Sequence, residues 1–236
     1  MSSSQRKPFV SVIIAALNEE AAIAQVIRSV PKNVADEIVV VDNGSKDRTA
    51  EVASNAGARV VKEAIPGYGR AFRAGLRSIS DKCEVVVFLD GDGSDCPEVM
   101  DQLVQPISEG KADFVIGSRT RGRREPGSMN FHQVLAGYMV GFVLRMLYGV
   151  HSTDMGPFRA IRRATLDRLG LREETYGWPL EMQMRAARAH VRTIEVPVDY
   201  RRRAGGHSKI AGTLRGSVLA ATRILITLAR LAIQKG

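Results

Sequence analysis

Apolar residues in this chain fall into short unbroken runs, which alternate with stretches where they recur every three or four positions. Strand-like runs occupy residues 10–16, 36–41, 59–61, 85–89, 114–117 and 193–198. Runs such as Val85-Val86-Val87-Phe88-Leu89 show no polar alternation, which predicts strands buried on both faces under helices on either side of a sheet. Between them, Ala22, Ile23, Val26, Ile27 and Val30 keep helical spacing until Pro31 stops them. Ala50, Val52, Ala53 and Ala56 mark a second helix, with Ser45 or Asp47 as its N-cap; a third runs from residues 67–71 through Leu76 and Ile79. Pro97 fits the first turn of a fourth, running through Met100, Leu103 and Ile107. The resulting βαβαβαβ order predicts an α/β fold with a mostly parallel, doubly wound central sheet.

The second half is less regular. Residues 118–130 carry Arg119, Arg121, Arg123 and Arg124 among glycines and Pro126, and read as a mobile basic loop. Residues 131–150 are helical in pattern, residues 153–159 form a turn-rich motif ahead of a basic helix, and Trp178-Pro179-Leu180-Glu181 opens another helix. Residues 216–233 read as an amphipathic C-terminal helix, with Arg223 and Arg230 seven residues apart and hence on one face. Packing on the domain and lying in a membrane interface both fit that pattern. The expected division is a catalytic unit at 1–215 and this helix at 216–236.

Charge sharpens the picture. The net charge is +9, but residues 1–110 hold 12 Lys and Arg against 16 Asp and Glu, whereas residues 111–236 hold 22 against 9. The basic half implies an anionic partner. Nucleic acid is disfavoured, since aromatic residues are not interleaved with the basic ones. Cys83 and Cys96 are the only cysteines, and the polar N-terminal residues read directly into a strand with no leader, so a cytoplasmic setting is expected. His132, His151, His190 and His207 lack metal-ligand spacing, and Trp178 reads as core or pocket wall.

Four strand ends deliver polar residues to one edge of the predicted sheet: Asn18 and Glu19; Asp42 with Gly44 and Ser45; Gly67 to Arg70; and Asp90, Gly91 and Asp92. In open α/β sheets that edge is where ligands bind. Each feature alone suits a turn or helix cap; together they suit a phosphate-bearing ligand, with Asp90 and Asp92 as hard oxygen ligands for Mg²⁺ or Mn²⁺.

These residues resemble the family 2 glycosyltransferases of the nucleotide-sugar-binding GT-A fold, particularly the polyprenyl (dolichyl) phosphate mannosyl- and glucosyltransferases. The likeness covers nearly the whole chain: Leu17-Asn18-Glu19-Glu20, residues 41–49, Gly67-Tyr68-Gly69-Arg70-Ala71, Asp90-Gly91-Asp92, Gly117-Ser118-Arg119, residues 154–159 and residues 203–209. It implies inverting, metal-dependent transfer of a hexose from GDP-mannose or UDP-glucose to a polyprenyl phosphate. Leu17, Asn18, Glu19, Asp42, Gly44, Ser45, Gly69, Arg70, Asp90 and Gly91 would then hold the nucleotide sugar, and Asp90 and Asp92 the metal. Arg119, Arg123, Arg124, Arg203 and Lys209 would draw the acceptor phosphate in. An alcohol or glycolipid acceptor would instead need a base, with Asp154 or Glu181 as the candidates. Peripheral membrane association at the cytoplasmic face, through the amphipathic tail, an anchoring partner or a homo-oligomer, is the corresponding expectation. Three departures stand out: Leu17 replaces a usual tyrosine, Asn43 a frequent second aspartate, and Ser94-Asp95-Cys96 an unlike sequence beside the metal pair.

Overall fold

The computed structural model describes residues 6–205. Seven strands and seven α-helices follow in the order β1 (Val10–Ala16), α1 (Ile23–Ser29), β2 (Glu37–Asp42), α2 (Thr49–Asn55), β3 (Arg59–Lys62), α3 (Tyr68–Leu76), β4 (Val85–Asp90), α4 (Asp101–Ser108), β5 (Phe114–Ser118), α5 (Phe131–Tyr148), β6 (Arg159–Arg162), α6 (Arg163–Leu169), α7 (Trp178–Arg188) and β7 (Thr193–Pro197). A 3-10 turn over Pro97–Val99 leads into α4. The strands form one sheet ordered β3-β2-β1-β4-β6-β5-β7.

The unbroken apolar runs arise because both sheet faces are covered. Val12 and Ile14 of β1 and Val85, Val87 and Leu89 of β4 pack with Ile23, Ile27, Leu103 and Ile107 on one side. Ile13, Val86 and Phe88 point to the other, against Phe72, Leu166, Trp178 and Met182. Trp178 is core, its ring 4.8 Å from both Phe72 and Phe88.

Two differences from the sequence expectation matter. Residues 159–162 form β6, antiparallel to both β4 and β5, where the turn-rich reading gave no strand. Only Ala160 and Ile161 are apolar there, so the run is too short to register as a strand. The 118–130 loop, expected to be mobile, is strapped to the segment after β7: Arg123 N–H donates to Asp199 Oδ1 at 3.0 Å, Tyr200 N–H to Arg123 O at 2.9 Å, and Glu125 N–H to Tyr200 O at 3.0 Å.

Candidate active site

β1 pairs with β2 on one side and β4 on the other, all parallel, so three carboxyl ends open at one place. There lies a cavity of about 160 Å³, lined by Ala15, Ala16, Leu17, Glu19, Asn43, Pro66, Gly67, Tyr68, Ala71, Asp90, Gly91, Asp92, Tyr176 and Arg203. Of the residues expected to bind the nucleotide sugar, Leu17, Glu19, Asp90 and Gly91 are in this wall.

The two carboxylates leave the end of β4 in different surroundings. Asp90 Oδ1 accepts from Tyr68 Oη at 2.8 Å. Burial, followed by the charge of Asp92, pushes the Asp90 carboxyl up to about 7, and burial with the charge of Asp90 holds the Tyr68 phenol well above its usual range. Asp92 Oδ1 accepts from Ser94 N–H at 2.8 Å and from its hydroxyl at 2.5 Å, while Oδ2 lies 3.0 Å from Arg203 Nη1. The other end of the guanidinium, Nη2, donates to Glu19 Oε1 at 2.5 Å, and Ala204 N–H donates to the Asp92 carbonyl at 3.0 Å. Arg203 therefore bridges the β1 and β4 ends. Behind the pair, Asp95 Oδ2 accepts from Asp90 N–H at 3.3 Å, and its buried Oδ1 has no hydrogen-bond partner. The Ser94-Asp95-Cys96 departure thus supplies two supports for the Asp90–Asp92 turn.

Asn18, Asp42, Gly44 and Ser45 are spent on the turns themselves. Asn18 sits at φ 53°, accepting from Lys46 N–H through Oδ1 at 2.7 Å; Asp42 Oδ1 accepts from Ser45 N–H at 2.9 Å, and Gly44 takes φ 85°. Asn43 has a role that aspartate cannot fill: Nδ2 donates to the carbonyls of Glu63 and Ile65 at 3.2 and 2.9 Å, while Oδ1 accepts from Gly67 N–H at 2.8 Å. It fastens the 63–67 loop to the end of β2.

Several expected site residues are engaged elsewhere. Arg70 pairs with Glu174, its N–H donates to Glu174 O, and a Cβ at Gly69 would lie 2.2 Å from Glu173 O. The glycine turn, whose Gly67 and Tyr68 remain in the cavity wall, is shaped by the close approach of residues 173–174. That segment also carries Tyr176, which stacks on Tyr68 at 6.3 Å. Arg119 and Asp154 take up each other in a buried fork: Nε and Nη2 each donate at 2.7 Å, and Arg119 N–H adds a third bond at 2.9 Å. Burial raises the Asp154 carboxyl, but Arg119 outweighs it and the net shift is downward. With Met155 N–H also donating at 2.7 Å, the Asp154 carboxylate accepts four hydrogen bonds. Glu181 is fully buried, accepting from Arg172 N–H, Glu173 N–H and Arg185 Nε at 2.9, 2.6 and 2.9 Å. Neither base candidate lines the cavity. Arg123 and Arg124 are exposed on the loop, His151 and His190 are exposed, and Lys209, His207 and the 216–233 helix lie outside the described residues.

Tyr68, Tyr176 and Tyr200 are site residues that the sequence pattern does not single out. Tyr200 lies under the Arg119 guanidinium at 4.9 Å and within 3.0 Å of Ser94 Oγ, joining the Arg119–Asp154 fork to the Asp92 turn. Tyr68 opens α3 whereas Tyr176 and Tyr200 lie outside the helices and strands, and only the fold brings the three to one place.

A mostly parallel sheet with acidic and basic side chains gathered at the carboxyl ends of β1, β2 and β4 is the architecture of an α/β transferase of the GT-A type. The family model described as "Glycosyl transferase family 2" matches residues 11–170, and the chain belongs to that family and is a glycosyltransferase. It is 37% identical over 213 residues to the "Uncharacterized glycosyltransferase Rv0539" of Mycobacterium tuberculosis, covering 89% of this chain and 94% of the relative. It is 34% identical over 205 residues to the "Dolichyl-phosphate hexose transferase" of Haloferax volcanii, covering 83% and 84%. Among solved structures, glucosyl-3-phosphoglycerate synthase from M. tuberculosis, in complex with Mn²⁺, UDP-glucose and phosphoglyceric acid, superposes with a TM-score of 0.77 at 25% identity over 95% of this chain and 80% of that one.

Proposed function

We propose that this chain moves a hexose from a nucleoside-diphosphate sugar, GDP-mannose or UDP-glucose, to a polyprenyl phosphate at the cytoplasmic face of a membrane, with inversion at the anomeric carbon. The observation that carries the donor half is the Asp90–Asp92 pair at the β4 end, where the Arg203 guanidinium already rests on Asp92 Oδ2 at 3.0 Å. A position that attracts a guanidinium suits a cation. Among the described residues no group of three or more His, Cys, Asp or Glu converges on one point. Asp90 and Asp92 would therefore hold Mg²⁺ or Mn²⁺ jointly with oxygens of the donor diphosphate, as such ions are usually held. A divalent cation supplies there a Lewis acid for the charge that develops on the leaving diphosphate. The structural neighbour solved with Mn²⁺ and UDP-glucose supports this reading.

The acceptor half rests on what the cavity lacks. Asp154 and Glu181 are committed to buried contacts, and neither lines the cavity, where it could serve an alcohol acceptor. A phosphate acceptor is already an anion and needs cations instead. Arg203, released from Asp92 when a metal binds, would hold it, with Arg123 and Arg124 exposed on the adjoining loop and Lys209 next in the chain. The relative named a dolichyl-phosphate hexose transferase supports this choice. A soluble phosphorylated acid is the second reading, favoured by the likeness to glucosyl-3-phosphoglycerate synthase. In this scheme residues 1–215 are the catalytic unit and 216–236 an interfacial tail.

The test is a transfer assay with Mn²⁺ or Mg²⁺, each donor, and either polyprenyl phosphate or phosphoglycerate. Asp92→Asn is expected to lose turnover by about 100-fold, the size of effect associated with removing transition-state charge stabilisation. Unchanged turnover in that variant would overturn the metal assignment. Transfer to phosphoglycerate but not to polyprenyl phosphate would overturn the acceptor assignment.

A further inference from the structure

We infer that α5 is an in-plane docking element for an anionic lipid surface. The helix has two apolar faces. On one, Val140 and Leu144 pack with Leu180, Met184 and Ala187 of α7. Gly141 permits the close seat there, since a Cβ would fall 2.0 Å from Ser152 O. On the other, Phe131, Leu135, Tyr138, Met139, Phe142 and Met146 are exposed, at 73, 44, 55, 54, 65 and 70%. Their spacing sets them in one stripe over residues 131–146 of the helix, about 24 Å. A patch of this extent on one element marks an interaction surface rather than scattered exposure.

The charge around the stripe selects the occupant. No Asp or Glu occurs from Pro126 to Thr153, while exposed Arg145 flanks the stripe, and exposed Arg121, Arg123 and Arg124 precede the helix. In a symmetric pairing of two copies across this face, Arg145 would meet no carboxylate from the facing helix. The 206–236 segment of this chain is no better matched, because it too is rich in Lys, Arg and apolar residues and holds no Asp or Glu. Two basic, apolar surfaces suit the same anionic surface better than each other. An apolar stripe bordered by arginines is the pattern of a helix that lies in the headgroup region. Among the described residues no helix is long and apolar enough to cross a bilayer, so α5 lies on the surface.

The placement also orients the site. The loop that enters α5 is tied to the segment bearing Arg203: Arg202 N–H donates to Glu125 Oε2 at 2.8 Å, and Arg202 Nε to Pro126 O at 2.5 Å. Docking through α5 sets the 121–124 arginines and the Arg203 strap near the lipid headgroups. This use of the surface rests on the lipid-phosphate reading, whereas the docking itself does not.

Flotation of the full chain with vesicles of phosphatidylcholine alone, and with 30 mol% phosphatidylglycerol, separates the two. Neither vesicle contains polyprenyl phosphate. Wild type is expected to float with the anionic vesicles, and Phe142→Glu/Met146→Glu to bind them about 100-fold more weakly, from the lost burial of two large apolar side chains. Retention of nucleotide-sugar binding by that variant would show that it is folded. Equal binding by variant and wild type would overturn the proposal, as would a stable wild-type dimer in solution that the variant abolishes without changing vesicle binding. Loss of transfer to polyprenyl phosphate with vesicle docking intact would count against the acceptor reading alone.

Discussion

Arg203 holds Asp92, the proposed metal ligand, with Nη1 and Glu19 with Nη2, and its buried Nε has no hydrogen-bond partner. Removing the guanidinium leaves Asp92 without its cationic neighbour and open to a competing one. Arg203→Gln is expected to bind Mn²⁺ severalfold more tightly in the absence of donor, measured by calorimetry, and to turn over more slowly. Equal or weaker Mn²⁺ binding would show that the two cations do not share the seat. A second residue-scale expectation concerns Asp154, almost wholly buried against Arg119. Leaving that guanidinium unpaired by Asp154→Ala is expected to lower stability by roughly 3–5 kcal/mol. The folded-state pKa of Asp154 lies below its ordinary value. Its contribution is therefore fully present above the unfolded pKa, near 4, and is lost as pH falls through the lower, folded value. Urea midpoints for the two proteins should converge in acid and diverge near neutrality; a gap that widens on acidification would contradict the pairing.

Elements differ in how far the sequence reveals them. The strands β1, β2, β4 and β5 are legible because burial on both faces leaves unbroken apolar runs. β6 is not, since it begins and ends in arginine; Arg159 is nonetheless buried, its Nε and Nη1 donating to the carbonyls of Gly156 and Pro179 at 3.0 and 3.1 Å. The acidic turn after β4 is legible as Asp-Gly-Asp, but its supports are not, because Tyr200 and Arg203 come from a segment more than a hundred residues later. The turn before α3 is instructive: Gly67-Tyr68-Gly69-Arg70 has the composition of a phosphate loop, Gly67 and Tyr68 line the cavity, and only the fold shows residues 173–174 pressed against Gly67 and Gly69. Gly69→Ala must push that segment away, with an expected cost of about 1–3 kcal/mol as overpacking. The displacement should also weaken donor binding, since Tyr68 and Tyr176 stack across the same contact. A fully stable Gly69→Ala protein would show that the approach is not tight.

At the scale of the whole molecule, the acidic half supplies β1 to β4 and the donor-side carboxylates, and the basic half supplies the strap, the arginine loop and α5. The two halves meet across the cavity, where Arg203 joins Glu19 and Asp92. That cavity encloses about 160 Å³, whereas ligand pockets usually enclose roughly 300–1,000 Å³. A nucleoside-diphosphate hexose belongs to the larger range, so its entry must open the wall, and the part of the wall that bears directly on the Asp90–Asp92 turn is the strap at residues 200–205. Arg201 N–H donates to Ser94 O at 2.9 Å and Ala204 N–H to Asp92 O at 3.0 Å, both at the turn where the metal and diphosphate would arrive. Those two amides report on the opening, while amides of β1 and β4, paired inside the sheet, should not respond. Hydrogen exchange with and without Mn²⁺ and UDP-glucose or GDP-mannose is expected to change at Arg201 and Ala204 by more than about tenfold, with β1 and β4 unaltered. If the donor binds tightly by calorimetry and both strap amides exchange as before, the donor enters without moving Arg203, and the cavity wall must open at Tyr176 instead.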